Sequence, residues 1–95
     1  MNNTRRTSSL HDPRYQNLIE SLIQLRKRAE ITQLELAEAL HMSQPDISKI
    51  ERFERRLDIL EFLDWLQIIA ERSQNLPSEI WKKIYESYSE SGRCK

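Results

Sequence analysis

Residues 31–63 read ITQLELAEALHMSQPDISKIERFERRLDILEFL, and this stretch decides the fold because several helix starts follow one another closely in it. Thr32 and Glu35 match the capping-box pattern, in which the first side chain accepts a hydrogen bond from an early helical amide and the acidic side chain reaches back to the amide of the cap. Asp58 and Glu61 repeat this pattern. The sequence therefore predicts one helix that begins after Thr32 and another that begins after Asp58.

A further helix start lies between these two capping boxes. Ser43 is a favourable N-cap, Pro45 is tolerated in the first turn of a helix, and Asp46 suits the positive end of the helix dipole. The turn 41–43 separates this helix from the preceding one, which is expected to end near Leu40. A helix, a three-residue turn and a second helix are the arrangement of the helix-turn-helix motif, whose second helix enters the major groove of DNA.

The helix after Ser43 is polar on most of its surface. Its only apolar side chains beyond the proline are Ile47 and Ile50, which are expected to face the core. The opposite face carries Gln44 and Lys49 and must therefore contact water or a partner.

Two longer helices are predicted outside this stretch, one after the N-cap pair Asp12-Pro13 and one that begins at Pro77. The first has an apolar stripe with spacings of three and four residues, formed by Tyr15, Leu18, Ile19, Leu22, Leu25 and Ala29. The last has an apolar side formed by Ile80, Trp81, Ile84, Tyr85 and Tyr88. In the helix after Asp58, the same spacing predicts a buried stripe of Leu60, Leu63, Leu66 and Ile69. The predicted fold class is an all-α bundle of five helices.

Composition and charge indicate one small globular domain rather than a strongly basic DNA-binding protein. The 95 residues are 38% hydrophobic and 32% charged, which is ordinary for a globular protein. Fifteen basic and fifteen acidic residues give a net charge of zero. Residues 1–56 carry ten Lys and Arg against eight Asp and Glu, and residues 57–95 carry five against seven, so the two parts are +2 and −2. Because strong DNA binding usually goes with a basic excess, a single subunit is expected to bind DNA modestly.

Other classes of protein find little support in the sequence. The lone Cys94 cannot form an intrachain disulfide, which suits a reducing cytosol. No apolar run approaches the roughly 20 residues that span a bilayer, and MNNTRRTSSL lacks the apolar core of a secretory signal. His11 and His41 have no nucleophile or metal-ligand partner nearby, and Gly92 is the only glycine. We therefore expect a cytoplasmic protein without membrane partner, enzymatic activity, metal or cofactor.

The chain resembles the Xre family of regulators, the group that includes the lambda-type phage repressors and Cro. The resemblance covers about residues 15–70, and its most specific parts are Thr32-Gln33, Ala37 and the segment SQPDISKIE at 43–51. It implies a lambda-repressor-like DNA-binding fold, with the helix-turn-helix at the second and third helices. It also implies a sequence-specific regulator of double-stranded DNA, a repressor in the first instance, that binds as a homodimer.

The resemblance assigns roles to individual residues of the motif. Gln33 matches the position that contacts a phosphate, Gln44 matches a base reader that can pair with adenine, and Lys49 would reach a guanine edge or a phosphate. For each of these residues, the alternative is an ordinary solvated position on a helix surface. The full set expected at DNA is Gln33, Ser43, Gln44, Pro45, Ser48, Lys49, Arg52, Arg55 and Arg56.

Two further implications of the resemblance concern structure rather than contact with DNA. Glu51 matches a position that pairs with an arginine of the first helix, which corresponds to Arg26. His41 and Phe53 stand where the family usually has glycine, often in the left-handed conformation. Either these turns are reshaped here, or they keep that conformation at a cost of about 1 kcal/mol each.

The predicted organisation is a flexible arm at 1–11, the helix-turn-helix domain at 12–72 and a C-terminal helix with a short tail at 73–95. The last helix is expected to form a dimer interface, to close the core of the single chain, or to do both. Its candidate interface residues are Trp81, Ile84, Tyr85 and Tyr88.

The sequence leaves other functions open. Small members of the family include many antitoxins, so a toxin or another regulatory protein is a possible partner, and repression is not distinguished from activation. A protein-interaction module that has lost DNA binding is the alternative of a different class. Zero net charge and Asp46 favour that alternative, whereas Gln33, Gln44 and Lys49 favour DNA.

Overall fold

The computed structural model describes residues 10–75 and 77–92, and these residues form five helices and no strand. The helices are α1 (Pro13–Arg28), α2 (Gln33–Leu40), α3 (Gln44–Glu51), α4 (Ile59–Ser73) and α5 (Pro77–Gly92). Each helix begins where the sequence predicts, so the all-α fold class is confirmed. Most of the predicted N-terminal arm, and Cys94, lie outside the described residues.

The N-terminal caps explain why the predicted helix starts are correct. The Thr32 hydroxyl accepts a hydrogen bond from the Glu35 amide at 3.0 Å, and the Glu35 carboxylate accepts one from the Thr32 amide at 2.9 Å. The second box is also complete, since Asp58 accepts from the Glu61 amide at 2.8 Å and Glu61 accepts from the Asp58 amide at 3.1 Å. Ser43 caps α3 with a single bond of this kind, since its hydroxyl accepts from the Asp46 amide at 3.2 Å. These contacts satisfy amides that have no partner inside the helix.

Each of the helices α1 to α4 is followed by a left-handed residue, and none of these four residues is glycine. His41 has φ 58° and Phe53 has φ 62°, so both turns keep the conformation for which the family usually has glycine. After α2, the His41 amide donates to the Glu38 carbonyl at 3.3 Å and the Met42 amide donates to the Ala37 carbonyl at 2.9 Å. These bonds satisfy the last carbonyls of the helix, as they do in a helix that ends in glycine. Of the two alternatives, the conformation is retained rather than reshaped.

One core joins all five helices. Ile47 and Ile50 of α3 are fully buried, as expected from the sequence, and Trp65 of α4 is buried at its centre. Most of α5 lies along α1, with fewer contacts to α4. The other buried apolar side chains are Ile19, Leu22, Ile31, Leu36, Ala37, Leu66, Ile69, Ala70, Ile80 and Ile84.

The predicted buried stripe of α4 is wrong at two of its four positions. Leu66 and Ile69 are buried, but Leu60 is 69% exposed and Leu63 is 51% exposed. Trp65 takes the central place instead. The first two turns of α4 are apolar on most sides, so a spacing of three or four residues fits more than one face. Contacts with the other helices, rather than periodicity, select the face that is buried.

The α5 helix corrects a second prediction. Ile84 was expected at a dimer interface, but it is 0% exposed and lies in the core of the single chain. Trp81 and Tyr85, on the outer side of the same helix, are exposed. They continue a row of rings in which Phe62 contacts Trp81, Trp81 contacts Tyr85, and Tyr85 contacts Tyr88. The helix therefore closes the core with one side and presents aromatic rings with the other.

The loop between α3 and α4 is attached to α1 by one polar contact. The Leu57 amide donates to the Tyr15 hydroxyl at 3.0 Å, across 42 positions of sequence. This contact positions the start of α4.

None of the helices described is long and apolar enough to cross a membrane.

Candidate DNA-binding surface

Gln33 and Gln44 are the first residues of α2 and α3, and the helix-turn-helix brings their side chains together. The Gln44 Nε2 donates to the Gln33 Oε1 at 3.1 Å. Both residues lie in the first turn of a helix, where unpaired backbone amides and the dipole favour a negatively charged partner such as a phosphate. The two glutamines that the sequence singles out thus occupy one patch of surface.

A buried ion pair between Arg26 and Glu51 lies beneath the two glutamines. The Arg26 Nε and Nη2 donate to the two carboxylate oxygens of Glu51 at 2.7 Å and 2.9 Å, and the Nη1 donates to the Ile31 carbonyl at 2.7 Å. The side chains of Arg26 and Glu51 are 8% and 7% exposed. The ion pair expected from the sequence is present. Loss of one partner from such a pair costs about 3–5 kcal/mol, because the other charge stays buried without compensation.

The ion pair also determines how the Gln33 amide is oriented. The Gln33 Nε2 donates to the Glu51 Oε1 at 2.9 Å. A carboxylate only accepts hydrogen bonds, so the amide nitrogen of Gln33 must face Glu51 and its oxygen must face Gln44. Gln44 uses one N–H in this contact and keeps the other N–H and its oxygen. A donor and an acceptor side by side are what the major-groove edge of adenine requires.

The basic residues near α3 divide into paired and unpaired side chains. Arg52 donates to Ser48 and to the Glu54 carboxylate, the latter at 3.1 Å. Arg55 donates to both carboxylate oxygens of Glu61 at 3.1 Å. Arg52 and Arg55 were both expected at DNA, but the structure brings each of them to a carboxylate of its own chain. Their charge is therefore partly compensated before any DNA arrives.

Arg55 has a second acidic neighbour, because its Nε lies 4.0 Å from the Asp46 Oδ1 in the first turn of α3. It thus lies between Asp46 of α3 and Glu61 of α4. The hydrogen bonds from Arg55 hold the pKa of Glu61 below its usual range, and the Asp58 amide acts in the same direction. Arg55 therefore connects the first turn of α3 to the start of α4.

Lys49 and Arg56 remain exposed, and neither forms a hydrogen bond through its side chain, or an ion pair, with any residue in the described part of the chain. Lys49 lies on α3 itself, and Arg56 lies in the loop that follows. Ser43 and Pro45 flank Gln44, with the Ser43 hydroxyl engaged as the cap of α3. Among the four basic residues on α3 and in the loop after it, Lys49 and Arg56 are thus the most available to a phosphate.

Several contacts of this surface were not predicted from the sequence. The bond between Gln33 and Gln44 joins side chains eleven positions apart on different helices. The capping-box pattern in the sequence predicts the bond from the Asp58 amide to Glu61, but it does not predict that Arg55 also bonds Glu61. Both contacts depend on how two helices are placed, which local patterns do not contain.

Within 10–75 and 77–92, no group of three or more His, Cys, Asp and Glu side chains is placed to hold a metal ion.

Comparison with known protein families gives one match to the chain. A helix-turn-helix family model matches residues 22–68, which include all of α2 and α3 and the adjoining parts of α1 and α4. No curated protein shows significant similarity to the chain.

Proposed function

Because the chain belongs to the helix-turn-helix family of the Cro/C1 type, whose domains are DNA-binding regulators, we propose that it is a sequence-specific repressor that binds operator DNA as a dimer. In this proposal α3 lies in the major groove, and the protein acts in the cytoplasm. A repressor of this kind needs no enzymatic activity, since it acts by occupying DNA.

The observation that carries the proposal is the hydrogen-bonded series from Arg26 through Glu51 and Gln33 to Gln44. Each member restricts the next, so the exposed amide of Gln44 is oriented before it meets DNA. Preorganisation of this kind lowers the entropy cost of making a specific contact. An ordinary solvated glutamine would have no such support.

Each member of the series has a distinct role in the proposed complex. Gln44 reads a base edge, and Gln33 holds Gln44 in place while its helix N-terminus faces a phosphate. A good bidentate contact to a base discriminates by about 1–3 kcal/mol. Phosphate contacts fix the register of the protein but carry no sequence information.

The test is selection from a randomised duplex pool with the wild-type chain and with Gln44→Ala. We expect the variant to lose base preference at one position of each half-site and to keep the preference at the others. Gln24→Ala, which changes an exposed glutamine of α1, is the matched control and should leave the profile unchanged. Equal profiles for the wild type and Gln44→Ala would refute the assignment of Gln44 as base reader.

The protein-interaction alternative is favoured by two observations, the zero net charge and the pairing of Arg52 and Arg55 with carboxylates. It predicts that no sequence is enriched from the pool and that duplex DNA binds weakly at every salt concentration. A DNA-binding protein instead shows affinity that falls steeply as salt rises, because bound counterions are released. A salt titration with labelled duplex therefore separates the two functions.

A further inference from the structure

A groove at the surface of the chain plays no part in the readout of DNA by α3. Its volume is about 440 Å³, toward the small end of the roughly 300–1,000 Å³ that binding sites for small molecules have. Residues of α1, of the loop before α4, and of α4 and α5 line it. We call it the aromatic groove because of the rings along it, which belong to Tyr15, Phe62, Trp81, Tyr85 and Tyr88.

The rings of the aromatic groove leave apolar area open to solvent. Trp81 is 43% exposed and Tyr85 is 50% exposed. The centroids of Phe62 and Trp81 are 5.9 Å apart with an angle of 81° between the ring planes, and those of Trp81 and Tyr85 are 5.9 Å apart with an angle of 41°. Because the rings are tilted against one another, they present both faces and edges. A flat aromatic molecule can contact both, since ring pairs favour offset-stacked and edge-to-face arrangements.

Arg56 also lines the aromatic groove, and its side chain has no hydrogen bond or ion pair with the described part of the chain. A guanidinium is a planar fork of donors that fits the two oxygens of a carboxylate. Asp58 lines the groove too, but its carboxylate already accepts from the Glu61 amide at the positive end of the α4 dipole. The charge that remains uncompensated at the groove is therefore positive, which favours a ligand with a negative group.

A second cation, Arg14, approaches the Tyr88 ring but is already paired. Its Cζ lies 5.9 Å from the centre of that ring, and its Nη2 lies 2.8 Å from the Asp12 Oδ2. The bond to Asp12 compensates the charge of Arg14. A negative group in the groove is therefore expected at Arg56.

We propose that the aromatic groove binds a small, flat aromatic carboxylate, with its ring system against the side chains of Trp81 and Tyr85 and its carboxylate on Arg56. Binding sites for small molecules are mostly apolar, with a few polar groups that fix the orientation of the ligand. The groove has this composition, since rings form most of its wall and Arg56 supplies the orienting charge.

The ligand also regulates the DNA binding proposed above, and this consequence rests on that function. Arg56 is one of the two basic residues near α3 that remain available to a phosphate. A carboxylate on Arg56 compensates the charge that a phosphate would otherwise meet, so the affinity for operator DNA falls. The coupling is reciprocal, because each of two linked ligands changes the affinity of the other by the same factor. The aromatic carboxylate thus acts as an inducer that releases DNA.

The experiment measures the binding of two probes to the full chain by isothermal titration calorimetry, without DNA. The probes are naphthoate, a flat two-ring carboxylate, and naphthylmethanol, in which an uncharged alcohol replaces the carboxylate. We expect saturable binding of naphthoate and weaker binding of naphthylmethanol. Arg56→Gln should raise the Kd of naphthoate by about five- to tenfold, because a charge-assisted hydrogen bond is lost, and leave that of naphthylmethanol nearly unchanged.

Two further variants separate the groove from the rest of the protein surface. Lys49→Gln removes another unpaired cation, which lies on α3 outside the groove, and should change neither Kd. Tyr85→Ala removes a half-exposed ring of the groove and should weaken the binding of both probes. All three variants should keep their helical circular dichroism, because each changes an exposed side chain.

Three results would overturn the proposal. One is the absence of saturable naphthoate binding to the wild type. Another is an equal loss of naphthoate binding in Arg56→Gln and Lys49→Gln, which would mean that only the total charge of the protein matters. The third is a naphthoate Kd that rises with protein concentration, since a second copy of the chain would then occupy the groove.

The effect on DNA is measured separately, by fluorescence anisotropy of a labelled duplex in the presence of naphthoate or of acetate at the same concentration. Naphthoate should lower the affinity of the wild type for the duplex and leave that of Arg56→Gln unchanged. A chain that binds naphthoate but no DNA would refute the proposed function and retain the ligand site. DNA binding that naphthoate does not weaken would refute the regulation by the ligand.

Discussion

The basic side chains near α3 differ in whether a carboxylate of the same chain already binds them. Arg52 and Arg55 are bonded to Glu54 and Glu61, whereas Lys49 has no such partner among the described residues. All three are basic residues on or close to α3, and the resemblance already singles out Lys49 among them. We therefore predict that Lys49 contributes more to DNA binding than the two arginines do.

Replacement of Lys49 by glutamine tests this ranking. Each phosphate neutralised by a basic side chain contributes about 0.9 to the slope of log affinity against log salt. We expect Lys49→Gln to reduce the magnitude of that slope by about 1 for each chain bound. Fluorescence anisotropy of a labelled duplex, titrated at several salt concentrations, measures the slope.

Lys82→Gln is the matched control, since it removes the same charge from an exposed position on α5. It should leave the slope nearly unchanged. If the two variants change the slope equally, Lys49 acts only through the total charge of the protein.

At the scale of the helices, the turns at His41 and Phe53 keep the left-handed conformation although neither residue is the glycine that the family usually has there. Both residues are left-handed and both helix ends keep the hydrogen bonds of a glycine-terminated helix. The two sites differ in packing. His41 is exposed, whereas Phe53 packs partly against the core. Burial of the Phe53 ring offsets its backbone strain, and His41 has no such compensation.

His41→Gly is therefore expected to stabilise the protein. A residue with a Cβ pays about 1–2 kcal/mol in the left-handed conformation, and glycine loses about 0.5–1 kcal/mol through the entropy of the unfolded chain. The net gain in the free energy of unfolding should reach about 1 kcal/mol, measured by urea denaturation with an unchanged m-value. His41→Ala keeps the Cβ and should give no gain. Equal stability of the glycine and alanine variants would show that the turn at His41 is not strained.

At the scale of the whole molecule, the helix-turn-helix depends on α5, which lies beyond the segment matched by the family model. Ile80 and Ile84 are 2% and 0% exposed, and α5 packs mainly against α1. The buried pair between Arg26 and Glu51 links α1 to α3 in turn. The recognition helix is thus held by a core that α5 completes.

Ile84→Ala should accordingly destabilise the entire domain. Truncation of a fully buried isoleucine costs about 2–5 kcal/mol, and a domain of this size loses roughly 4–8 °C in Tm for each kcal/mol. Thermal unfolding followed by circular dichroism measures the effect. Lys83→Ala, at the exposed neighbouring position, should change stability by no more than about 0.5 kcal/mol. Similar Tm values for the two variants would mean that α5 is not part of the cooperative core.

The sequence by itself determined where the helices begin and which two form the helix-turn-helix. Thr32 with Glu35, Ser43, and Asp58 with Glu61 act on amides within one turn, so their effect can be predicted from local spacing alone. The core positions Ile47 and Ile50 could be predicted for the same reason, because α3 has a single apolar face.

Only the tertiary structure decided which sides of α4 and α5 are buried and which polar side chains meet. Leu60 and Leu63 are exposed, Ile84 is buried, and Gln33 contacts Gln44 because helices distant in sequence pack in one particular way. The physical reason is that caps and turns depend on neighbouring residues, whereas burial and side-chain pairing between helices depend on the arrangement of the whole core. The helix-turn-helix of α2 and α3 is therefore local in origin, and the surfaces that it presents are not.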